Sequence, residues 1–140
     1  MRWNPANPIT VDITPSRVTF IDPDGPPVDL LPVLYLTPDS RRMKVASVGA
    51  PPTDGPGVPV ELFSADTPPP GISKLECLAA FFTHGLKVIV DRCMFRVKPT
   101  VHVRGHKTVS NLFGGFERDL LRLALERAGG KQVLWPEDEP

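Results

Sequence analysis

Apolar and polar residues alternate along the first part of the chain in a pattern typical of β-strands. The stretch "ITVDITPSRVTFID" alternates on both sides of a short polar break. A period of two places successive side chains on opposite faces of a strand. We therefore predict strands at residues 9–13 and 17–21 joined by a tight turn, with Val11 and Ile13 on one face and Asp12 on the other.

Three more apolar runs follow before any helical pattern begins. Residues 28–36, "VDLLPVLYL", contain Pro32, which predicts an edge position, a kink or a break. Residues 44–48 form a third strand by their alternation, and residues 58–63 form a short strand-like run. The region 50–72 is rich in proline and glycine, so we predict a stiff insertion between sheet and helix there.

The pattern changes to a helical period at residue 73. Ser73 followed by Glu76 forms a capping box, the signature of a helix start, and apolar residues then recur every three or four positions. This predicts a helix over 73–86. Gly85 is a candidate for its end, and the pattern leaves open whether residues 86–90 extend the helix or begin a strand. A strand at 98–103 and a last short strand, "KQVLW", lie further along the chain.

A second helix is predicted over about 112–128, stopped by Gly129 and Gly130. Its charged residues, Glu117 included, are expected to face water. The apolar set expected to face the sheet is Phe116, Leu120, Leu121, Leu123, Ala124 and Ala128.

These elements occur in the order β-β-β-α-β-α-β. A meander followed by strand-helix-strand units indicates an α/β fold with a mixed five-stranded sheet, antiparallel first and parallel later, with the helices packed on it.

Composition adds bounds to this fold. The 140 residues suit one domain, 1–140, with a flexible acidic tail at 136–140. Equal numbers of basic and acidic residues, 16 each, give no general attraction to nucleic acid or acidic membranes. No apolar run could cross a bilayer and the first residues, "MRWNPANP", lack the apolar core of a signal peptide, so we expect a cytoplasmic protein.

Three stretches resemble the first subdomain of the actin-like ATPases, most closely the bacterial rod-shape protein MreB. "ITVDITPSRVTFI" resembles the family's first hairpin, in which a strand ending in Asp precedes a Gly-rich phosphate turn. "KVASVGA" resembles the third strand, and "KPTVHVRG" through "FERDLLRLALERAGGKQVLW" to "PEDEP" resembles the family's strand, long helix, strand and Glu-Glu-Pro. The resemblance implies an RNase H and actin-like fold.

The resemblance also points to a candidate ligand site at the first turn, where Asp12, Thr14 and Ser16 would contact a nucleotide phosphate. Here Thr14 stands in place of the family's glycine, and Pro15 removes an N–H that could point at phosphate. Glu137 or Glu139 would match the family's water-orienting glutamate. We expect no bound cofactor; if the turn keeps its ligand, that ligand is ATP with Mg²⁺.

The family's second domain, which completes its nucleotide cleft, has no counterpart within these 140 residues. This absence and the altered turn predict a non-catalytic protein-interaction or self-assembly module. Its partner would be a second copy or an actin-like cytoskeletal protein. One alternative is a residual ATP-binding or phosphotransfer protein that completes its cleft by dimerisation. Another is nucleic-acid binding through the basic residues of 92–107.

Other chemistry is less specific. RNase H-type nucleases share this sheet and hold Mg²⁺ with a first-strand aspartate. Such a site needs further carboxylates that converge with Asp12 on the metal. The other candidate carboxylates do not obviously face Asp12; they are Asp66, Asp91 and Asp119. The histidines do not form a clear zinc site; they are His84, His102 and His106. His102 and His106 are four positions apart, but they flank a strand end and not a helix, so their rings need not lie on one face. Ser110 has no nucleophile-elbow motif around it. Glycines 114 and 115 before a helix could bind an anion or simply free the helix start.

The cysteines suggest no metal finger. Cys77 and Cys93 lie 16 positions apart without a second ligand pair at metal-finger spacing. Since cysteine is among the most buried residue types, we predict that both are buried free thiols.

Overall fold

The computed structural model describes residues 7–64, 67–93 and 98–138, which form two β-sheets and two α-helices. The strands are β1 (Ile9–Thr14), β2 (Arg17–Ile21), β3 (Val28–Leu30), β4 (Val33–Asp39), β5 (Arg42–Val48), β6 (Val58–Glu61), β7 (Thr100–Arg104) and β8 (Gln132–Leu134). The α-helices are α1 (Lys74–Val90) and α2 (Glu117–Arg127), and the 3₁₀ helices are His106–Phe113 and Pro136–Asp138.

The larger sheet, sheet A, is mixed and has the strand order β3-β2-β1-β7-β8. Strand β2 pairs antiparallel with both β1 and β3, whereas β7 pairs parallel with β1 and with β8. The prediction of an α/β fold with a five-stranded mixed sheet, antiparallel first and parallel later, is therefore confirmed.

A second sheet, sheet B, is antiparallel with the order β5-β4-β6, and sequence analysis missed it. Residues 44–48 were expected to be the third strand of the main sheet, but they lie in β5, and the third strand of sheet A is Val28–Leu30. Pro32 causes the difference, because it breaks the apolar run after β3 and the chain starts a new sheet at Val33. The predicted insertion 50–72 contributes β6 to sheet B.

One face of sheet A forms the centre of the core. The odd-numbered residues of β1 are buried, and Asp12 lies on the opposite face, as the alternation predicted. Val18 and Phe20 of β2, with Val101 and Val103 of β7, extend the buried face under the two helices. The side chains that β1, β2 and β7 place on the opposite face are mostly polar and are half-buried or exposed. We call this opposite face the open face of sheet A.

Helix α1 begins as predicted and ends later. Ser73 is the N-cap, its hydroxyl accepts from the N–H of Glu76, and the Glu76 carboxylate accepts from the N–H of Ser73. These hydrogen bonds with Ser73 lower the pKa of Glu76. The helix continues through Gly85 to Val90, because Gly85 is buried against the ring of Phe20 rather than serving as a C-cap.

Helix α2 is shorter than predicted and partly rotated from the expected face. Residues 112–116 lie outside it, in the end of a 3₁₀ helix and a two-glycine turn. Phe116 is the N-cap, its backbone is not helical, and its side chain is 70% exposed. Leu123, two positions from the buried Leu121, is 50% exposed. Glu117, expected to face water, is buried. The buried set is Glu117, Leu121, Ala124 and Leu125.

We predict that Gly85→Ala lowers the free energy of unfolding. A methyl group at this position would collide with the Phe20 ring, which is itself packed against Phe81 and Phe82. Overpacking of this kind costs about 1–3 kcal/mol, which outweighs the roughly 1 kcal/mol that alanine gains over glycine within a helix. Urea unfolding measures the change.

The matched control is His84→Ala, one position earlier and exposed on the same helix. It should shift the free energy of unfolding by no more than about 0.5 kcal/mol. Equal stability of the Gly85→Ala and His84→Ala chains would contradict the assignment of Gly85 to a packed helix interior.

Candidate functional site

The candidate ligand site lies at one edge of sheet A. Since β1 and β7 run parallel, their carboxyl ends meet at the same edge, where β1 continues into the turn to β2. Ligands of open α/β sheets bind outside the carboxyl ends of the strands. The structure therefore brings Thr14 and Ser16 to the edge at which a ligand would be expected, with Asp12 two residues before Thr14 in β1.

The hydroxyl of Thr14 is used within the turn. It accepts a hydrogen bond from the N–H of Arg17 at 3.0 Å and lies 2.9 Å from the carbonyl oxygen of Arg17, to which it donates. Of the two loop residues, Pro15 has no N–H, which leaves Ser16 as the loop's one backbone donor. A phosphate cradle needs several converging N–H groups, and this loop offers one.

Asp12 projects from the open face of sheet A and not from the turn itself. Its register neighbours are Thr19 on β2 and Arg104 on β7, and its side chain is half-buried. Among the described residues it forms no ion pair, so the carboxylate keeps its acceptor capacity for a ligand on this face.

Gly105 brings the exit of β7 against the end of β1. It has a φ of 77°, and a Cβ there would collide with the carbonyl oxygen of Ile13. The N–H of Gly105 donates to the Glu137 carboxylate at 3.1 Å, and the hydroxyl of Thr108 donates to the Gly105 carbonyl at 2.7 Å. The N–H of Gly105 is therefore already bound to a carboxylate of the chain itself.

Glu137 is thus placed at this edge, within the segment predicted as a flexible tail. Pro136–Asp138 form a short 3₁₀ turn, while Glu139, the other candidate for the family glutamate, lies outside the described residues. Which of the two matches the family glutamate stays a prediction, since the structure describes only Glu137. Its carboxylate binds a backbone N–H, so its observed contact is structural.

Sequence analysis missed a buried polar cluster beside this edge. Nδ1 of His106 lies 3.3 Å from Oε1 of Glu117, and the His106 ring packs edge-on against Trp135 with centroids 5.0 Å apart. The guanidinium of Arg118 stacks over Trp135 at 5.0 Å. Oε2 of Glu117 is buried without a hydrogen-bond partner in the described part of the chain. The available signal was the acidic first turn of α2, where carboxylates favour the helix N-terminus.

The carboxylates considered for a nuclease site do not join Asp12. Asp91 caps the end of α1 and pairs with Lys87 at 3.3 Å. It borders a cleft that Lys98 also lines. This cleft lies at the amino end of β7, whereas the turn lies at the carboxyl end of the sheet strands. Asp119 pairs with Arg122 at 2.9 Å on α2, and Asp66 lies outside the described residues. No group of three or more His, Cys, Asp or Glu side chains converges for a metal within residues 7–64, 67–93 and 98–138.

The histidines and cysteines occupy separate environments. His84 is exposed on α1, His102 lies on the open face of sheet A, and His106 is buried. Cys77 is buried, as predicted, and burial raises the pKa of its thiol; Cys93 is half-buried. Both thiols are free.

The basic residues of 92–107 do not form one patch in the region described, which excludes 94–97. Arg92 pairs with the buried carboxylate of Asp22 at 3.3 Å and donates to the carbonyl of Pro26 at 2.9 Å, which ties the end of α1 to the loop after β2. Lys98 precedes the amino end of β7, while Arg104 ends that strand. Nucleic-acid binding through this segment stays a prediction.

Comparison with known proteins adds no assignment. A scan against protein-family models finds no match, and a search of curated protein sequences finds no significant similarity. In the part of the chain that the structure describes, no helix combines the length and the hydropathy that a membrane span requires.

We predict that Gly105→Ala destabilises the chain far more than Gly114→Ala. Both glycines have positive φ, 77° and 60°, but a Cβ at Gly114 meets no atom within 4 Å, whereas one at Gly105 meets the Ile13 carbonyl. Both variants lose about 1–2 kcal/mol from left-handed backbone strain. The Gly105 variant loses a further 1–3 kcal/mol or so from the collision.

Thermal and urea unfolding of the two variants give the comparison. Failure of the Gly105→Ala chain to fold, while the Gly114→Ala chain folds, also meets the prediction. Equal losses would show that β7 does not approach β1 this closely.

Proposed function

We propose that this chain is a non-catalytic protein-interaction and self-assembly module of the actin-like, RNase H-like type. The order of its sheet A elements supports the proposal: the strands and helices follow β-β-β-α-β-α-β, with antiparallel pairing in the first hairpins and parallel pairing later. This is the order that the resemblance to the actin-like first subdomain implies, although its third strand is Val28–Leu30 and not the "KVASVGA" stretch. Sheet B then stands as an addition between β3 and α1.

The observation that carries the interaction role is an exposed apolar stripe on α2, formed by Phe116, Leu120 and Leu123. Phe116 is 70% and Leu123 is 50% exposed, and Leu120 between them is half-buried. Residues three, four and seven positions apart share one side of a helix. Helix α2 therefore has two apolar sides, one in the core and one facing solvent, and such exposed apolar surfaces mark interaction sites.

Charged residues border the stripe and supply a polar rim. Arg122 pairs with Asp119 at 2.9 Å and approaches Glu126 at 4.0 Å, all within α2. A protein interface commonly has such an apolar centre with a polar, solvated rim. The stripe alone is small for a stable interface, so its partner contacts neighbouring surface as well. The partner is a second copy or an actin-like filament in the cytoplasm.

The absence of catalysis in this proposal rests on the turn between β1 and β2. Pro15 lacks an N–H, the Thr14 hydroxyl is bound to Arg17, and the nearby N–H of Gly105 is bound to Glu137. Phosphate binding through the Thr14 hydroxyl or the Gly105 N–H would have to break these contacts first. The turn is better suited to holding the hairpin closed than to holding a nucleotide.

Substitution of the stripe tests the proposed function. We expect size-exclusion chromatography with light scattering to show self-association, or co-sedimentation to show binding to actin-like filaments. Phe116→Ser with Leu123→Ser should abolish that behaviour, because both side chains lose the apolar contact. The matched control is His84→Ser with Val88→Ser, two exposed positions of α1 outside the stripe. A wild-type chain that is monomeric and does not co-sediment would contradict the proposal.

Residual ATP binding is the second candidate function, with the cleft completed by dimerisation. It is favoured by the carboxylate of Asp12, which forms no ion pair with a described residue, and by the exposed hydroxyl of Ser16, both near the carboxyl end of β1. Isothermal titration calorimetry with ATP and Mg²⁺ decides this candidate. We expect no heat of binding from the turn as it is built. Heat that is abolished by Asp12→Ala, and retained in Asp29→Ala on the edge strand β3, would establish the ATP-binding alternative instead.

A further inference from the structure

A cleft of about 440 Å³ opens beside the β1–β2 turn, between Pro15 and Ser16 of the turn and the outer face of sheet B. This volume falls within the range of protein ligand sites. Its walls come from the turn, from the break between β3 and β4, and from strands β4 and β6. We call this cleft the proline groove, because Pro15, Pro32 and Pro59 line it together with Leu31, Tyr35 and Glu61.

The register of sheet B arranges the aromatic and acidic groups of the groove. Tyr35 pairs with Pro59 and Val33 pairs with Glu61, so all four side chains lie on the outer face, opposite the buried Leu34 and Val60. Tyr35 and Glu61 are then diagonal neighbours, with Cα atoms about 7–8 Å apart in sheets of this kind. An aromatic face and a carboxylate therefore flank the same short stretch of groove.

The carboxylate of Glu61 is available to a ligand. Glu61 is exposed and forms no ion pair with a described residue. The ammonium of Lys74 contacts the main-chain oxygen of Glu61 at 3.4 Å and that of Ser64 at 3.3 Å. A negative charge at this position repels nucleotide phosphate and attracts a cation.

We propose that the proline groove binds a proline-rich segment of a partner protein that carries an arginine or lysine. Such segments adopt a preformed polyproline II helix, which docks in apolar and aromatic grooves at low entropic cost. The prolines of the segment would pack on Tyr35 and the groove prolines, and Leu31, 53% exposed, adds apolar surface at the rim. The basic side chain would lie between the Tyr35 ring and Glu61, where cation–π attraction and charge pairing act together.

This inference rests on the proposed function, since it names a partner chemistry for an interaction module. It also gives Pro15 a positive role: the residue that removes a phosphate donor from the turn forms a wall of the groove. The groove and the apolar stripe of α2 belong to different elements, so the two surfaces can be tested separately.

The probe is a blocked heptapeptide, Arg-Pro-Pro-Leu-Pro-Pro-Arg, titrated into the full chain by NMR. Tyr35 is the chain's single tyrosine, so its ring resonances report on the groove alone. We expect saturable shifts of that ring with the arginine peptide. A peptide with glutamate in place of both arginines should bind at least fivefold more weakly.

Variants assign the binding to the proline groove, and isothermal titration calorimetry with the same peptide measures their affinities, because two of them lack the tyrosine ring. Tyr35→Ala should weaken binding at least tenfold, while Tyr35→Phe, which keeps the ring, should bind nearly as the wild type does. Glu61→Gln should weaken it about fivefold, as loss of an exposed ion pair predicts, and Asp39→Asn, at the far end of β4, should leave it unchanged.

Absence of ring shifts at saturating peptide, or equal binding of the two peptides, would overturn the inference. Light scattering on the same samples separates this result from the proposed function: a chain that self-associates but ignores the peptide retains the α2 surface and loses only the groove assignment. Loss of self-association in Glu61→Gln would show that a second copy occupies the groove and would likewise overturn the proposal of a proline-rich partner.

Discussion

The parallel pairing of β1 with β7 is the contact on which the rest of the structure depends. It joins the antiparallel hairpins of the first half to the strand-helix-strand units of the second half. Its close approach requires a glycine at position 105, because any side chain would meet the Ile13 carbonyl. The same pairing sets the turn, Gly105 and Glu137 along one edge and leaves Asp12 beside Arg104 on the open face.

At that edge, hydrogen-bonding groups that could contact a phosphate are already bound to other groups of the chain. Thr14 bonds across the turn, Glu137 accepts the N–H of Gly105, and Pro15 presents a ring where a donor would be needed. Each contact is modest, about 0.5–1.5 kcal/mol for an ordinary hydrogen bond. A phosphate would have to replace several of them together. The surfaces that we propose for protein partners lie elsewhere, on the apolar stripe of α2 and in the proline groove beside sheet B.

Local signals in the sequence predicted the elements that depend on local chemistry. The alternation around Asp12 gave the first hairpin, and Ser73 with Glu76 gave the start of α1, since both signals act within a few residues. Pairing over long sequence distances could not be derived in this way. Residues 44–48 have the same alternation in either sheet, and their partner depends on how the chain turns at Pro32.

Positions that contact distant elements were also beyond sequence analysis. Gly85 suggested a helix end, but the Phe20 ring, 65 positions away, fills the space that a side chain would need. Leu123 matched an apolar face that the helix does not bury, and Glu117 is buried because His106 and Trp135 surround it. The turn was the exception: Pro15 already indicated the loss of a phosphate donor, and the bonding of Thr14 added to that loss.

A site-resolved titration with Mg²⁺ and ATP tests the central claim most directly. Amide NMR spectra follow the N–H groups of Ser16, Arg17 and Gly105 as the nucleotide is added. We predict that the resonances of these three amides keep their positions. The N–H groups of Arg17 and Gly105 are bound within the chain, and the N–H of Ser16 alone does not make a phosphate cradle. Saturable shifts at all three would contradict it and would restore this edge of the sheet as a nucleotide site.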